Sequence, residues 1–189
     1  IVTQGLVKPG DIVLIDRECH KSHHYSMVLS GTYPIYMDGY ALNEFSMFGG
    51  VPLEEIKKTL LDLKEKEQLH KVKMMILTNC TFDGIVYNVK KVMEEVLAIK
   101  PDMIFLWDEA WFGFAAFSPT FKQRSAMYVA DKLCEKYHSE AYRLAYNKWL
   151  KAPDNTPMPD PDKVKIRVYS TQSTHKTLSS LRQGSMIHI

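Results

Sequence analysis

Met103-Ile104-Phe105-Leu106-Trp107-Asp108-Glu109-Ala110-Trp111 is the stretch on which the fold turns. Its first five residues form the most apolar strand candidate in the chain, and an unbroken apolar run of that length fits a strand buried on both faces. Such strands belong to sheets whose crossover helices cover both sides. The run delivers a carboxylate, Asp108, at its C-terminal edge, which is where open α/β sheets bind ligands.

Outward from this strand, short β-branched or apolar runs alternate with longer amphipathic stretches, so strands feed crossover helices and the class is α/β. Upstream, Asp11–Ile15 (DIVLI), Tyr33–Met37 (YPIYM) and Val72–Thr78 (VKMMILT) read as strands, the first entered through Pro9-Gly10. A short helix is expected over His20–Leu29, ended at Gly31. Pro52 at a first helical position opens an amphipathic helix through Leu53, Ile56, Leu60 and Leu63, with the charged residues of 57–71 on a solvated face. Another helix near Val89–Ile99 stops before Lys100-Pro101. Downstream, Lys122–Leu150 has a helical pattern in which Tyr128, Tyr137, Tyr142, Tyr146 and Trp149 read as packing residues. The proline-rich segment Ala152–Asp162 cannot continue a helix and reads as an interaction loop or surface insertion. Val164–Tyr169 and Ser185–Ile189 read as the last strands.

The 189 residues suffice for one domain with a sizeable core. With 46% hydrophobic and 24% charged residues, disordered, collagenous and membrane compositions are excluded. A formal charge of +2 is too small to draw nucleic acid or anionic lipid by net field, so specificity must sit in a local site. No apolar run approaches the length of a membrane span. Cys19, Cys80 and Cys134 form no CxxC pair, which points to a reducing, cytoplasmic setting rather than to a disulfide scaffold or thiolate zinc site. The chain opens on Ile1-Val2-Thr3 with neither a starting Met nor a signal pattern, as a piece of something longer would.

Three segments carry candidate chemistry. Asp108 read alone caps the next helix. Its strand, ending in Asp-Glu-Ala, also resembles the magnesium-holding strand of P-loop ATPases, but the chain holds no G-x-x-x-x-G-K-[ST] to cradle phosphates. The second segment is Ser170-Thr-Gln-Ser173-Thr174-His175-Lys176-Thr177, directly after a predicted strand, which places a lysine on the same sheet edge as Asp108. One lysine in a polar loop is ordinarily solvated, and the hydroxyl residues are ordinary turn formers. The pairing carries more weight. A buried lysine can lose its proton and condense with a carbonyl while a carboxylate holds a pyridinium nitrogen charged, as pyridoxal phosphate (PLP) requires. The third is Asp16-Arg17-Glu18-Cys19-His20-Lys21-Ser22-His23-His24. His20 and His24 share the i, i+4 spacing of a helical zinc pair, yet H-E-x-x-H is absent and no third ligand is evident, so no metal is expected. An imidazole here could stack on a planar cofactor instead.

Taken together, PGD with the following DRECHKS, then SGTYPIYM, TNCTFDGIVYN, WDEAWFGFAAFSP and STQSTHKTLSSLRQGSMIHI resemble the bacterial ornithine/lysine/arginine decarboxylases in order and over nearly the whole chain. The resemblance implies the large domain of a PLP-dependent enzyme of the aspartate aminotransferase fold (fold type I), a three-layer α/β/α arrangement around a mostly parallel sheet. It implies that Lys176 holds the cofactor covalently, Asp108 bonds the pyridine nitrogen and His20 stacks on the ring. It further implies that Ala110 packs on the opposite ring face, Trp111 lines the pocket, and Ser173 and His175 approach the phosphate and the lysine. DRECHKS departs from the commoner DRNCHKS at Glu18, a departure read as minor.

The resemblance also implies that residues 1–189 are an incomplete major domain, lacking an upstream phosphate-binding segment and the smaller C-terminal domain, and that the isolated piece is inactive. It implies decarboxylation of arginine, lysine or ornithine to an amine and CO2 in a homodimer or larger homo-oligomer. An aminotransferase on the same fold, or a non-catalytic module retaining it, are the alternatives. The histidine at position 20 favours the decarboxylase over aminotransferases, many of which stack an aromatic ring.

Overall fold

The Ile104–Asp108 stretch is a strand buried along its whole length, at the middle of a six-stranded sheet. Residues 1–154 and 156–189 are described by a computed structural model. Their elements run α1 (Val2–Leu6), β1 (Ile12–Asp16), α2 (Lys21–Ser30), β2 (Tyr33–Met37), β3 (Ala41–Leu42), β4 (Met47–Phe48), α3 (Leu53–Glu65), β5 (Val72–Thr78), α4 (Val89–Ile99), β6 (Ile104–Asp108), α5 (Pro119–Lys122), α6 (Ala126–His138), α7 (Glu140–Trp149), β7 (Arg167–Ser173), α8 (Thr174–Thr177) and β8 (Ser185–His188). The sheet order is β2-β1-β5-β6-β7-β8, parallel except for the last pair, and β3 with β4 forms a separate small hairpin.

Alternation along the strands sorts their side chains to two faces. Phe105 and Trp107, with Leu14, Met75, Leu77 and Val168, join the larger core under α3, α4, α6 and α7. Ile104 and Leu106, with Val13, Ile15, Met74 and Ile76, face the opposite way, toward Val7 and toward Met27 of α2. The result is the α/β class expected from the alternating runs, in the three-layer α/β/α arrangement that the family resemblance implies. Because β2 lies outside β1 while β5 lies on its other side, the strand order reverses beside β1, and the C-terminal edges of β1, β5, β6 and β7 border the crevice such a reversal creates.

Most expected elements match within a residue, among them β2, β5 and α4. Gly31 closes α2 in the left-handed region at φ 65°, where glycine is free of Cβ strain. Two expectations need correction. The strand expected over Val164–Tyr169 begins at Arg167 and continues to Ser173, because antiparallel pairing with β8 extends it to the Ser173 and Ser185 register. The helical stretch Lys122–Leu150 is broken, with Ser139 in extended geometry (φ −78°, ψ 144°) and its Oγ accepting the Tyr142 N–H to start α7. The proline-rich segment folds back on α7: Tyr142 OH donates to the Pro159 carbonyl at 2.8 Å, and Arg143 grips Asp162 through two bonds of 2.7 and 3.2 Å. Helix α1 and the β3–β4 hairpin were not anticipated, being too short to show a period.

Candidate active site

Parallel registry sets Thr78, Asp108 and Thr171 side by side at the ends of β5, β6 and β7. Asp16, ending β1, joins the row by accepting the Thr78 N–H at 2.7 Å. Asp108 shares the face of Leu106, toward α2, and there it meets His23: Nε2 lies 2.8 Å from Asp108 Oδ2, with both side chains about nine-tenths buried. The Asp108 Oδ1 accepts the Ala110 N–H at 3.1 Å, with the Thr171 hydroxyl at 3.5 Å. Burial works to raise the Asp108 carboxyl. The His23 hydrogen bond and charge, helped by Ala110 N–H and the charge of Lys176, win and hold it below the ordinary 3.8. Asp16 goes the other way: burial pushes it up, and its Thr78 bonds offset that only in part.

Glu109 lies one residue on and therefore points to the opposite face. It is fully buried, and its carboxylate accepts from Asn79 Nδ2 at 2.8 Å, Ala126 N at 2.8 Å and Ser170 Oγ at 2.7 Å. It ties the ends of β5, β6 and β7 to the first turn of α6. Desolvation raises its carboxyl against those three donors.

A cavity of about 330 Å³, of a size suited to a small molecule, opens on the α2 side of this row, lined by His20, His23, Asp108, Ala110, Ser173 and Lys176 among others. A second, of about 310 Å³, shares His20, Asp108, Ala110 and Lys176 and adds Trp111 and Phe82. The structure thus brings together six of the seven residues singled out in the sequence. His20 is the N-cap of α2, exposed to the cavities, with Nδ1 accepting the Ser22 N–H. The Lys176 Nζ lies over the Trp111 ring, 4.8 Å from its centroid, and Phe82 packs edge-on against that indole. His175 stands apart: it lines neither cavity, and its Nδ1 is 3.1 Å from the Gly184 carbonyl.

His20 and His24, considered as a metal pair, have separate partners: Ser22 for the first, Tyr36 OH (2.9 Å) and Cys19 Sγ (3.5 Å) for the second. Burial raises the Cys19 thiol to about 12, with Asp16 adding to it, so it is not a thiolate. The residue missed from the sequence is His23. Its signal was present as spacing, since three residues after an N-cap a helical side chain returns toward the sheet edge the cap faces.

The family model described as Orn/Lys/Arg decarboxylase, major domain, matches residues 1–141. Lysine decarboxylase LdcA of Pseudomonas aeruginosa is 30% identical over 195 residues, covering 100% of this chain and 22% of its own length. Other relatives carry the names arginine decarboxylase and ornithine decarboxylase. The solved constitutive lysine decarboxylase of Escherichia coli superposes with a TM-score of 0.69 at 25% identity, over 99% of this chain and 22% of that one. A kynurenine aminotransferase of Pyrococcus horikoshii, solved in complex with PMP, shares the fold at TM-score 0.53 and 15% identity, over 94% of this chain and 34% of its own. The chain thus spans about a fifth of the decarboxylases it matches. The sheet topology, the paired Asp108 and this match agree: the chain belongs to the Orn/Lys/Arg decarboxylase major-domain family.

Proposed function

We propose that the protein carrying this chain is a PLP-dependent decarboxylase that converts arginine, lysine or ornithine to the corresponding amine and CO2, and that residues 1–189 form part of its cofactor-binding major domain. The observation that carries the reading is the buried carboxylate of Asp108, held below its ordinary range by His23, in a cavity it shares with Lys176. The residues fit PLP. An ionised carboxylate suits a protonated pyridine nitrogen, the Lys176 amine has no carboxylate within salt-bridge distance among the described residues, and His20 and Ala110 line the cavities on which a flat ring could rest. When bound, PLP supplies a carbonyl for an amine and a ring that accepts the electrons left by departing CO2.

The chain's own groups do the rest. Asp108 keeps its charge at neutral pH because His23 and the Ala110 N–H stabilise the anion, so it would hold a proton on the pyridine nitrogen of the cofactor. Lys176, whose amine reaches both cavities, would hold the cofactor. His20, lining both cavities, would orient the ring and the substrate held on it. Ser173 lines the first cavity and would hold the phosphate, and Trp111 lines the second and flanks the lysine. The sequence resemblance carries His175 to the phosphate side as well, a role that requires it to turn from Gly184. The unpaired Cys19, Cys80 and Cys134 support a cytoplasmic setting, and the family resemblance supports a homodimer or larger homo-oligomer.

The spectrum of the full-length protein tests these roles. Lys176→Ala removes the absorbance band of lysine-bound cofactor, and Asp108→Ala keeps cofactor binding weak and lowers turnover by a factor of about 100 or more. A band that survives in Lys176→Ala overturns the assignment.

A further inference from the structure

We propose that Glu18 is the specificity residue of this site, its carboxylate receiving the distal cationic group of the substrate while the α-amino end engages Lys176. The assignment rests on the decarboxylase reading above. A basic amino acid carries two cationic ends, so its pocket needs, besides the reacting lysine, a carboxylate free to face the second.

The carboxylates near the site separate by their commitments. Asp108 is taken by His23 and by the Ala110 N–H. Asp16 is taken by the Thr78 N–H, and Glu109 is buried on the other face of the sheet among three donors. Among the residues lining the second cavity the only acids are Asp108 and Glu18. Glu18 is exposed to it and makes no hydrogen bond or ion pair among the described residues, its neighbour Arg17 being paired with Asp38 and laid over Tyr36.

The same wall suits the rest of such a ligand. Phe82 and Trp111 supply aromatic surface for a methylene arm, and the Trp111 face already takes an ammonium, that of Lys176, at 4.8 Å. The Cys80 thiol in that wall is raised by burial and by Glu109, so it stays neutral, and with Asp108 committed to His23 it is Glu18 that has a carboxylate left to face a cation there. A cation arriving at Glu18 gains a charge-assisted bond in a cleft partly shielded from water, where replacing the carboxylate by an amide is felt as a loss of affinity.

The test compares lysine with 2-aminohexanoate, which has the same carbon chain and no distal charge, in full-length PLP-loaded wild type, Glu18→Gln and Glu18→Asp. In Glu18→Gln the ratio of kcat/KM for lysine over 2-aminohexanoate falls about tenfold or more, through KM for lysine, and Glu18→Asp keeps part of it. As a readout independent of turnover, calorimetry on the cofactor-free protein shows 1,5-diaminopentane bound more weakly by Glu18→Gln by a similar factor. Circular dichroism confirms that the variants keep the fold. An active wild type whose preference and diamine affinity are untouched by Glu18→Gln overturns the Glu18 assignment alone. A wild type that neither takes up PLP nor releases CO2 overturns the decarboxylase reading, and this assignment with it.

Discussion

At the Asp108 carboxylate, burial and hydrogen bonding pull in opposite directions, and His23 decides the outcome. The folded-state value lies below the ordinary 3.8, so the ionised group contributes stability that is complete above that pH and lost as pH falls through the folded value. Replacing His23 by Leu leaves desolvation opposed only by the Ala110 N–H and the charge of Lys176, so the carboxyl moves up and the loss begins at higher pH. In full-length His23→Leu, the pH at which bound PLP is released, followed by absorbance, shifts upward, and His23→Gln shifts it less. An acid limb unmoved by either variant contradicts the pairing. Sequence reasoning found Asp108 because an apolar strand advertises what it delivers, but its partner lies 85 residues away and only the sheet brings the two together. Glu18 was read as a minor departure for a related reason: its lack of a partner among the described residues is a property of three-dimensional surroundings, not of the DRECHKS segment.

Between elements, Glu109 is the tie. Three buried donors from beyond β5, from β7 and from the start of α6 converge on it, so Glu109→Ala leaves the Ser170 hydroxyl and the Ala126 N–H without their acceptor and Asn79 Nδ2 with the Arg124 carbonyl alone. Each buried unsatisfied donor costs about 1–3 kcal/mol, and Glu109→Ala should lower the unfolding free energy by about 3 kcal/mol or more in urea titrations, with Glu109→Gln milder. A loss under about 1 kcal/mol would show that those donors find other partners. Elements with a strong period were legible: β5 and β6 as continuous apolar runs, α3 and α4 as amphipathic helices. Less legible was the 122–173 region. Ser139 breaks a pattern whose apolar spacing carries on through it, and β7 owes its last residues to pairing with β8, a contact no local window contains.

Across the whole molecule the two faces of the sheet are covered unequally. The α3/α4/α6/α7 side carries a large core, whereas among the described residues the side that opens on the site is covered by α1 and α2, and α2 leaves Tyr25, Val28 and Leu29 61–80% exposed. Exposed apolar surface of this kind is a liability unless covered. The isolated 189-residue chain is therefore expected to bind PLP weakly, turn over little and self-associate at micromolar concentration, as read by absorbance titration and sedimentation; a monomeric fragment with full catalytic rate contradicts that. The central claim, that Asp108 and Lys176 serve decarboxylation rather than amino transfer, is tested most directly by product. Full-length protein loaded with PLP is given carboxyl-labelled lysine, ornithine and arginine in turn. Release of labelled CO2 from at least one of them, abolished by Lys176→Ala, is the predicted result, and keto-acid formation with no labelled CO2 would contradict it.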